Sequence, residues 1–424
     1  MVDFVKGICL VMDFKKLKYK TKNTTRIKKG YEIYDVLSIV ACCGLISNRA
    51  LELLGVSGRT RRNMMRNMEY VDFQNKVVFN GIAFRQYAVG DCRYIRPEKK
   101  AHPIFTAVDG GEEYIKSFKD AVRYSDEEHI SRIVAYSELC AFALRAGVEF
   151  NPLKAPEIHN LGDSYEIKPV EIKQNILYSV RQLRKIDERA KYVARGCRAI
   201  GVLVRQQEAS MCYNFLDTKR KRWQYGNEVG FELYLNHRFL PCNFICDFDV
   251  TRKSNCVYLC ESYDDSEVVI FYEAFDICAS KRYGGKSDVF RNLFEDVYVF
   301  PKSENGIKSF KLYNQPDIIL KLVYSIGLDE ESIESAYRSG YNCDAYDAGR
   351  KTAHFFFYTG CVNKLKKCIE SSRPSRYGWD AVTLKIHCFP FQEAYVRSKI
   401  EDGMNVEVEV CNYDEIVRKL EIKY

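Results

Sequence analysis

The sequence predicts a mixed α/β protein with more than one domain. Its 424 residues exceed what one hydrophobic core usually covers, so two or three domains are expected. Hydrophobic residues make up 46% and charged residues 29% of the chain, which is typical of a folded globular protein. Helix-spaced apolar residues dominate the first part, and strand-like runs dominate from about residue 156 to about residue 280.

Positive charge is concentrated near the N-terminus. Residues 1–100 hold 20 of the 65 Lys and Arg residues but only 9 of the 57 Asp and Glu residues. This asymmetry favours contact between the N-terminal part and a polyanion. A membrane surface would be one such polyanion, but no basic amphipathic helix with a clean apolar face accompanies the charge. We therefore expect no membrane partner.

A basic arm is predicted over residues 1–25, and its charge continues to residue 30 without an apolar pattern. Arg26, Lys28 and Lys29 are expected to contact DNA. The first residues lack the basic and small-residue flanks of a signal peptide, and the 17 cysteines are an odd number. A cytoplasmic protein with reduced, mostly buried cysteines is expected.

Three short helices are predicted next. The apolar residues of 31–43 recur at the spacing of one helix face. Ser47 is a residue type preferred at N-caps and predicts a second helix over 47–54. After a short turn, a third helix is expected over 58–70.

The second and third helices have the order of a helix-turn-helix, whose second helix enters the major groove of DNA. Arginine bonds guanine bidentately and asparagine bonds adenine, so the composition of the third helix suits base contacts. The residues expected to contact DNA here are Arg59, Thr60, Arg61, Arg62, Asn63 and Arg66.

A β-hairpin over 77–89 is predicted to be a wing. Its strands are Val77–Phe79 and Phe84–Val89, and Asn80-Gly81 is a strong hairpin-turn signal. Residues 26–90 are therefore predicted to form a winged helix-turn-helix that binds double-stranded DNA. Lys76 and Arg85 lie near the strands and are added to the expected DNA contacts.

Prolines, glycines and the spacing of apolar residues divide the rest of the chain into segments. Residues 91–125 are predicted to be a linker, because prolines and glycines interrupt them. A helix over 126–146 opens an α/β domain over 126–300, which includes a helical segment near 177–194. Residues 301–424 are predicted to be a C-terminal α/β extension. The strand-like runs are Ala199–Val204, Met211–Phe215, Phe231–Leu235, Cys256–Cys260 and Glu267–Tyr272.

Two Glu-x-Lys motifs suggest a nuclease. In restriction-endonuclease-like folds, an upstream acid and a Glu-x-Lys on adjacent strands bind a divalent cation such as Mg²⁺. The candidates are Glu166, Lys168, Glu171 and Lys173, with Glu138, Glu157 or Asp163 as the upstream acid. Alternating charges are common on exposed strands, so a scaffold of this type without catalysis is favoured. No cofactor is expected unless the chain cleaves DNA.

Two Cys-x3-Cys pairs raise the question of a zinc site. They are Cys242 with Cys246 and Cys256 with Cys260. The usual structural zinc knuckle is Cys-x2-Cys, and positions i and i+4 of a strand share one face. Buried core cysteines are expected instead of a metal site.

The order of these features resembles that found in proteins of the replication-relaxation family of plasmids and integrative elements. The matching residues are the helix-turn-helix Leu51–Tyr70, the segment Phe84–Gly90, Tyr165–Lys168, Gly196–Leu203 and Cys212–Glu228. The resemblance covers about residues 26–300 and implies a winged helix followed by a restriction-endonuclease-like α/β domain. It also implies a role in replication or mobilisation of a bacterial mobile element. The missing upstream Pro-Asp is a departure that puts cleavage in doubt.

The sequence thus predicts a DNA-binding protein of a bacterial mobile element, acting in replication, mobilisation or regulation. One alternative is a metal-dependent DNA endonuclease. The other is a protein without enzymatic activity that docks a partner, such as a relaxase or another replication protein, through its α/β part.

Overall fold

A computed structural model of this chain describes residues 23–121, 127–150, 175–179, 200–205, 208–214, 254–264, 268, 294–373 and 382–422. Helices and sheets alternate through these ranges, which confirms the mixed α/β class. None of the described helices combines the length and the apolar composition needed to cross a bilayer.

Nine short elements, three helices and six strands, open the described chain, and the strands form two small sheets. The strands are ordered β1-β3-β4 in one sheet and β2-β6-β5 in the other. Within them, β1 runs parallel to β3, and the other pairs are antiparallel. The elements are β1 (Thr24–Arg26), α1 (Glu32–Cys43), β2 (Ile46–Ser47), α2 (Asn48–Leu53), α3 (Gly58–Met64), β3 (Met68–Val71), β4 (Val77–Gly81), β5 (Phe84–Val89) and β6 (Cys92–Pro97).

The first two predicted helices are confirmed, and the third is shorter than predicted. Ser47 caps α2 by accepting a hydrogen bond from the Ala50 N–H, and Gly44 ends α1 with a φ of 75°. The prediction of a helix over 58–70 is wrong beyond Met64, because the chain turns and forms β3. Pairing with strands on both sides of β3 outweighs the helix-like spacing of its methionines.

The predicted hairpin turn at Asn80-Gly81 is also wrong. These two residues end β4, where they pair with Glu69 and Met68 of β3. The actual turns lie at 72–76 and at 90–91, so β4 and β5 belong to different hairpins and different sheets. Gly90 has a φ of 55° in the second turn, a conformation that favours glycine. The predicted arm likewise ends earlier, because β1 and the buried Ile27 belong to the fold.

The predicted linker over 91–125 is wrong for the described residues up to 121. After β6 the chain forms a 3-10 helix over Lys99–Ala107 and then α4 (Gly111–Ala121). Ile104, Phe105 and Phe118 are buried in the same apolar cluster as α1, against which α4 packs. Prolines and glycines mark local turns in this segment, but its apolar side chains cover the N-terminal core.

A long helix and a six-stranded mixed sheet follow. The helix prediction over 126–146 is confirmed by α5 (Glu127–Arg145). The sheet has the order β12-β11-β10-β9-β8-β7, with β8, β9 and β10 antiparallel and β10, β11 and β12 parallel. Its strands are β7 (Glu149–Phe150), β8 (Ile176–Ser179), β9 (Gly201–Arg205), β10 (Glu208–Asn214), β11 (Ser254–Cys260) and β12 (Phe294–Pro301).

The predicted strand runs near 199–204, 211–215 and 256–260 correspond to β9, β10 and β11, with shifted ends. The predicted helix near 177–194 is wrong at its start, where β8 lies. The rest of that segment and the predicted strand Phe231–Leu235 lie outside the described residues, as does all of Glu267–Tyr272 except Val268.

The C-terminal residues form three helices and then a smaller α/β unit. Its sheet has the order β13-β14-β15-β16, and β14, β15 and β16 are parallel. The prediction of mixed helices and strands over 301–424 is confirmed for the described residues. The elements are α6 (Glu304–Tyr313), α7 (Ile318–Ser325), α8 (Glu330–Ser339), β13 (Ala345–Asp347), β14 (Thr352–Phe356), α9 (Val362–Ser371), β15 (Thr383–Cys388), α10 (Pro390–Arg397), β16 (Val406–Val410) and α11 (Tyr413–Ile422).

A buried ion cluster joins the N-terminal helices to the large sheet. Lys302 follows β12 and is 1% exposed, and its ammonium group donates to Glu138 of α5 at 2.9 Å. It also contacts Glu261, which follows β11. Burial lowers the pKa of Lys302, but the two carboxylates raise it more, so the pKa lies above its ordinary value. Glu138 in turn accepts a hydrogen bond from the Ser47 hydroxyl at 3.3 Å.

A second polar cluster lies on one face of the small sheet. Nδ1 of His354 is 3.0 Å from Nε2 of His387, and Nδ1 of His387 is 3.1 Å from Glu409. Lys385 also contacts Glu409, at 2.9 Å. Burial, and then the positive groups His387 and Lys385, lower the pKa of His354 to about 4, while Asp347 and Glu409 oppose this shift.

Removing the buried ammonium should destabilise the protein strongly. Lys302→Ala leaves the carboxylate of Glu138 buried without its cation, which typically costs about 3 to 5 kcal/mol. The free energy of unfolding, measured by urea denaturation, should fall by this amount. Lys366→Ala is the matched control, because that side chain is 65% exposed. A Lys302→Ala protein as stable as the control would contradict the assignment.

Stability should rise with pH between about 4 and 6.5. The pKa of His354 is lowered from 6.5 to about 4, so in this interval the unfolded chain binds a proton that the folded chain excludes. The contribution is complete above pH 6.5 and is lost as the pH falls towards 4. His354→Gln should flatten the dependence of the denaturation midpoint on pH. An unaltered slope in His354→Gln would refute this interpretation.

Candidate nucleic-acid interface

The start of α3 is fixed by a set of hydrogen bonds from the turn before it. Ser57 is the N-cap, and its side chain accepts a bond from the Thr60 N–H at 3.2 Å. Glu32, in the first turn of α1, accepts bonds from the Ser57 hydroxyl at 3.0 Å and from its N–H at 3.2 Å. The turn that orients α3 is therefore tied directly to α1.

The ionisation of Glu32 follows from these contacts. Burial, the largest single effect, raises its pKa, but the hydrogen bonds from Thr60 and Ser57 and the positive charge of Arg61 lower it more. The net result is a pKa below the ordinary value. Glu32 is therefore an anion at neutral pH, and it holds the turn in its charged form.

The arginines of α3 divide into two groups. Arg59, Arg62 and Arg66 are exposed. With about 3.6 residues per turn, Arg59 and Arg62 lie on one side of the helix, about 60° apart. Arg66 lies two residues beyond the end of α3, and its N–H donates to the Asn63 carbonyl oxygen at 3.1 Å.

Arg61 points to the opposite side. Its side chain is 28% exposed, its Nε donates to the Val56 carbonyl oxygen at 3.1 Å, and its guanidinium is 3.8 Å from Glu52 of α2. In this structure the side chain of Arg61 braces the turn between α2 and α3, and the expectation that Arg61 contacts DNA stays a prediction. Thr60 and Asn63 are half-buried beside it.

The hairpin of β5 and β6 is attached to the same unit. Its second strand pairs with β2, which directly precedes α2. Arg85 lies on β5, and its guanidinium is 2.6 Å from Glu98, so its charge is partly neutralised. Arg93 is exposed on β6, and the sequence analysis missed it because the hairpin was placed one strand too early. An arginine two residues after a Gly-Asp turn would have indicated it.

The other expected DNA contacts come together elsewhere. Arg26, at the end of β1, pairs in register with Val71 of β3. Lys28 and Lys29 follow it and are exposed, as is Lys76 at the end of the turn between β3 and β4. The parallel pairing of β1 with β3 therefore puts these four cations at one end of the same sheet.

The nuclease candidates are described only in part. Glu138 is buried, and its two oxygens bond Ser47 and Lys302. Glu166, Lys168, Glu171 and Lys173 lie outside the described residues. The strands within the described ranges carry no Glu-x-Lys sequence.

The described residues include one of the two Cys-x3-Cys pairs that raised the question of a zinc site. Cys256 and Cys260 are buried on β11, as expected for core residues, and burial raises the pKa of the Cys256 thiol well above its ordinary value. A protonated thiol is a poor zinc ligand. Cys242 and Cys246 lie outside the described residues. Within the described ranges, no three His, Cys, Asp or Glu side chains converge on a possible metal position.

No protein-family model, curated protein or solved structure matches this chain. The assignment of a function therefore depends on the geometry and charge of the residues themselves.

The two groups of arginines should respond differently to substitution. Arg61→Ala removes a partly buried hydrogen bond and should lower the free energy of unfolding by about 1 kcal/mol. Arg62→Ala, on the exposed side of the same helix, should change it by less than about 0.5 kcal/mol. Thermal denaturation of the two variants would show the difference. Equal losses would mean that Arg61 does not brace the turn.

Proposed function

We propose that this chain binds double-stranded DNA through α3, which lies in the major groove with Arg59, Arg62 and Arg66 towards the bases and phosphates. The observation that carries the proposal is the exposed arginine face of α3. The opposite side of the helix is held by the buried Met64 and by Arg61. The guanidinium groups of Arg59 and Arg62 on this face, with Arg66 just after the helix, suit guanine edges and phosphate oxygens.

The arrangement around α3 supports a winged helix-turn-helix. Helix α2, a turn and α3 follow each other as in a helix-turn-helix, and the hairpin of β5 and β6 pairs with the strand before α2. We propose that this hairpin, with Arg93 on its second strand, is the wing and lies along the phosphate backbone. Glu98 reduces the expected contribution of Arg85 to this contact.

The wider role is proposed from the resemblance to replication-relaxation proteins. On that basis the chain would act in the replication, mobilisation or regulation of a bacterial mobile element. The central mixed sheet, with α5 packed against it, would be its α/β domain. A relaxase or another replication protein would be the partner that this part docks.

Binding should depend on the three exposed arginines and on salt. In fluorescence anisotropy with the full chain and a mixed-sequence DNA duplex, Arg59→Ala or Arg62→Ala should each lower the affinity roughly tenfold. The logarithm of the binding constant should fall linearly with the logarithm of the salt concentration, with a slope of about −0.9 for each phosphate contact.

Arg338→Ala is the matched control for these variants. Arg338 is 74% exposed on α8, in the C-terminal part of the chain, and its guanidinium pairs with Glu334. Its loss should leave the affinity unchanged. If the full chain fails to bind duplex DNA at low salt, or if the control weakens binding as much as Arg59→Ala does, the proposal is wrong.

A further inference from the structure

The hairpin of β3 and β4 lies in the chain between α3 and the proposed wing, and its tip exposes apolar side chains. Phe73, in the turn, is 66% exposed, and Val77, at the start of β4, is 48% exposed. A phenylalanine that protrudes this far loses the stabilisation of burial, about 1.5 to 3 kcal/mol for a side chain of its size. The ring of Phe73 is therefore available for contact with a partner.

Hydrogen bonds close the turn at the tip. The side chain of Asp72 accepts hydrogen bonds from the N–H groups of Gln74 at 2.8 Å and Lys76 at 2.9 Å. The Asp72 carbonyl oxygen accepts another from the Asn75 N–H, and Asn75 has a φ of 65°, which asparagine tolerates well. These bonds define the backbone of the turn that carries Phe73, and they partly offset the negative charge of Asp72.

Four cations surround the tip. The Ile27 N–H donates to the Val71 carbonyl oxygen at 2.8 Å, so the chain leaves β1 at the end of the sheet where the turn begins. Arg26, Lys28, Lys29 and Lys76 are all exposed here. Among the described residues, none of these four forms an ion pair, and the Nζ of Lys28 lies 4.7 Å from the ring centroid of Tyr31. Because these four exposed side chains are positively charged, they favour a polyanion as the partner.

The strand that follows α3 and leads to this tip has a length that can be compared with the spacing of DNA grooves. Residues 68–73 span about 16 Å at about 3.3 Å per residue, starting four residues after the end of α3. Half a turn of B-DNA, the step from a major groove to the next minor groove, is about 17 Å. The length of this hairpin is therefore comparable with the step between neighbouring grooves.

We infer that the hairpin of β3 and β4 is a second DNA-contacting element, which inserts Phe73 as an apolar wedge between base pairs from the minor groove and bends the duplex. Arg26, Lys28, Lys29 and Lys76 hold the flanking phosphates. Apolar side chains between basic groups use this mode of contact, in which partial unstacking of one base step bends the duplex by about 20 to 90°. The inference rests on the proposed function, because α3 places the hairpin on the DNA.

The test uses the full chain and a short mixed-sequence duplex that carries a dye at each end and 2-aminopurine at internal positions. Binding of the unaltered protein should raise energy transfer between the dyes, because bending shortens the duplex. It should also raise the 2-aminopurine fluorescence, because unstacking relieves quenching. Phe73→Ala should abolish both changes and weaken binding about tenfold. Because Phe73 is exposed, this variant should unfold at the temperature of the unaltered protein.

Two further variants test whether the effect is specific to Phe73 and whether the lysines contact phosphates. Tyr337→Ala, which removes a 90% exposed aromatic ring from α8, should leave both signals and the affinity unchanged. Replacing Lys28, Lys29 and Lys76 together by alanine should reduce the steepness of the salt dependence by about 0.9 for each lost phosphate contact.

The outcomes distinguish this inference from the proposed function. If Arg59→Ala weakens binding but Phe73→Ala bends and unstacks the duplex like the unaltered protein, the wedge is wrong and DNA binding through α3 stands. If the unaltered full chain does not bind the duplex at low salt, the proposed function itself fails.

Discussion

The buried contact between Lys302 and Glu138 is the interaction on which the arrangement of the N-terminal helices depends. It joins the end of β12, an edge strand of the six-stranded sheet, to α5, and Glu138 also accepts a hydrogen bond from Ser47, the N-cap of α2. Arg49, also on α2, donates to the Lys302 carbonyl oxygen at 2.7 Å. The carboxylates of Glu138 and Glu261 compensate the buried ammonium group, so the contact ties the N-terminal helices to the sheet.

This connection gives α3 its role. A helix of seven residues is too short to be stable alone, and tertiary contacts must hold it. The contacts come from Glu32 on one side of the turn and from Arg61, through Glu52 and the Val56 carbonyl oxygen, on the other. Because α2 is itself anchored to α5, the exposed arginines project from a rigid body. A rigid recognition surface loses little conformational entropy when it binds.

The N-terminal part combines two small sheets around a single apolar cluster. One sheet carries the proposed wing, and the other carries the basic tip around Phe73. The wing exposes polar and charged side chains and the ring of Tyr87, while the tip adds the fully apolar ring of Phe73 to four cations. This difference suits two kinds of contact with one duplex, one along the backbone and one between bases.

The mixed α/β class, the helices α1, α2 and α5, and the strand positions of β9, β10 and β11 could be predicted from the sequence, because these elements follow local periodicity and capping. The end of α3 and the hairpin that pairs with β2 could not be predicted, because strand pairing depends on residues distant in the chain. Only the tertiary structure decided that Arg61 lies inward while Arg59 and Arg62 lie outward, although all three are equivalent in composition. The charge count located the basic surface but could not distinguish a brace from a contact, because that distinction depends on which neighbours surround each guanidinium group.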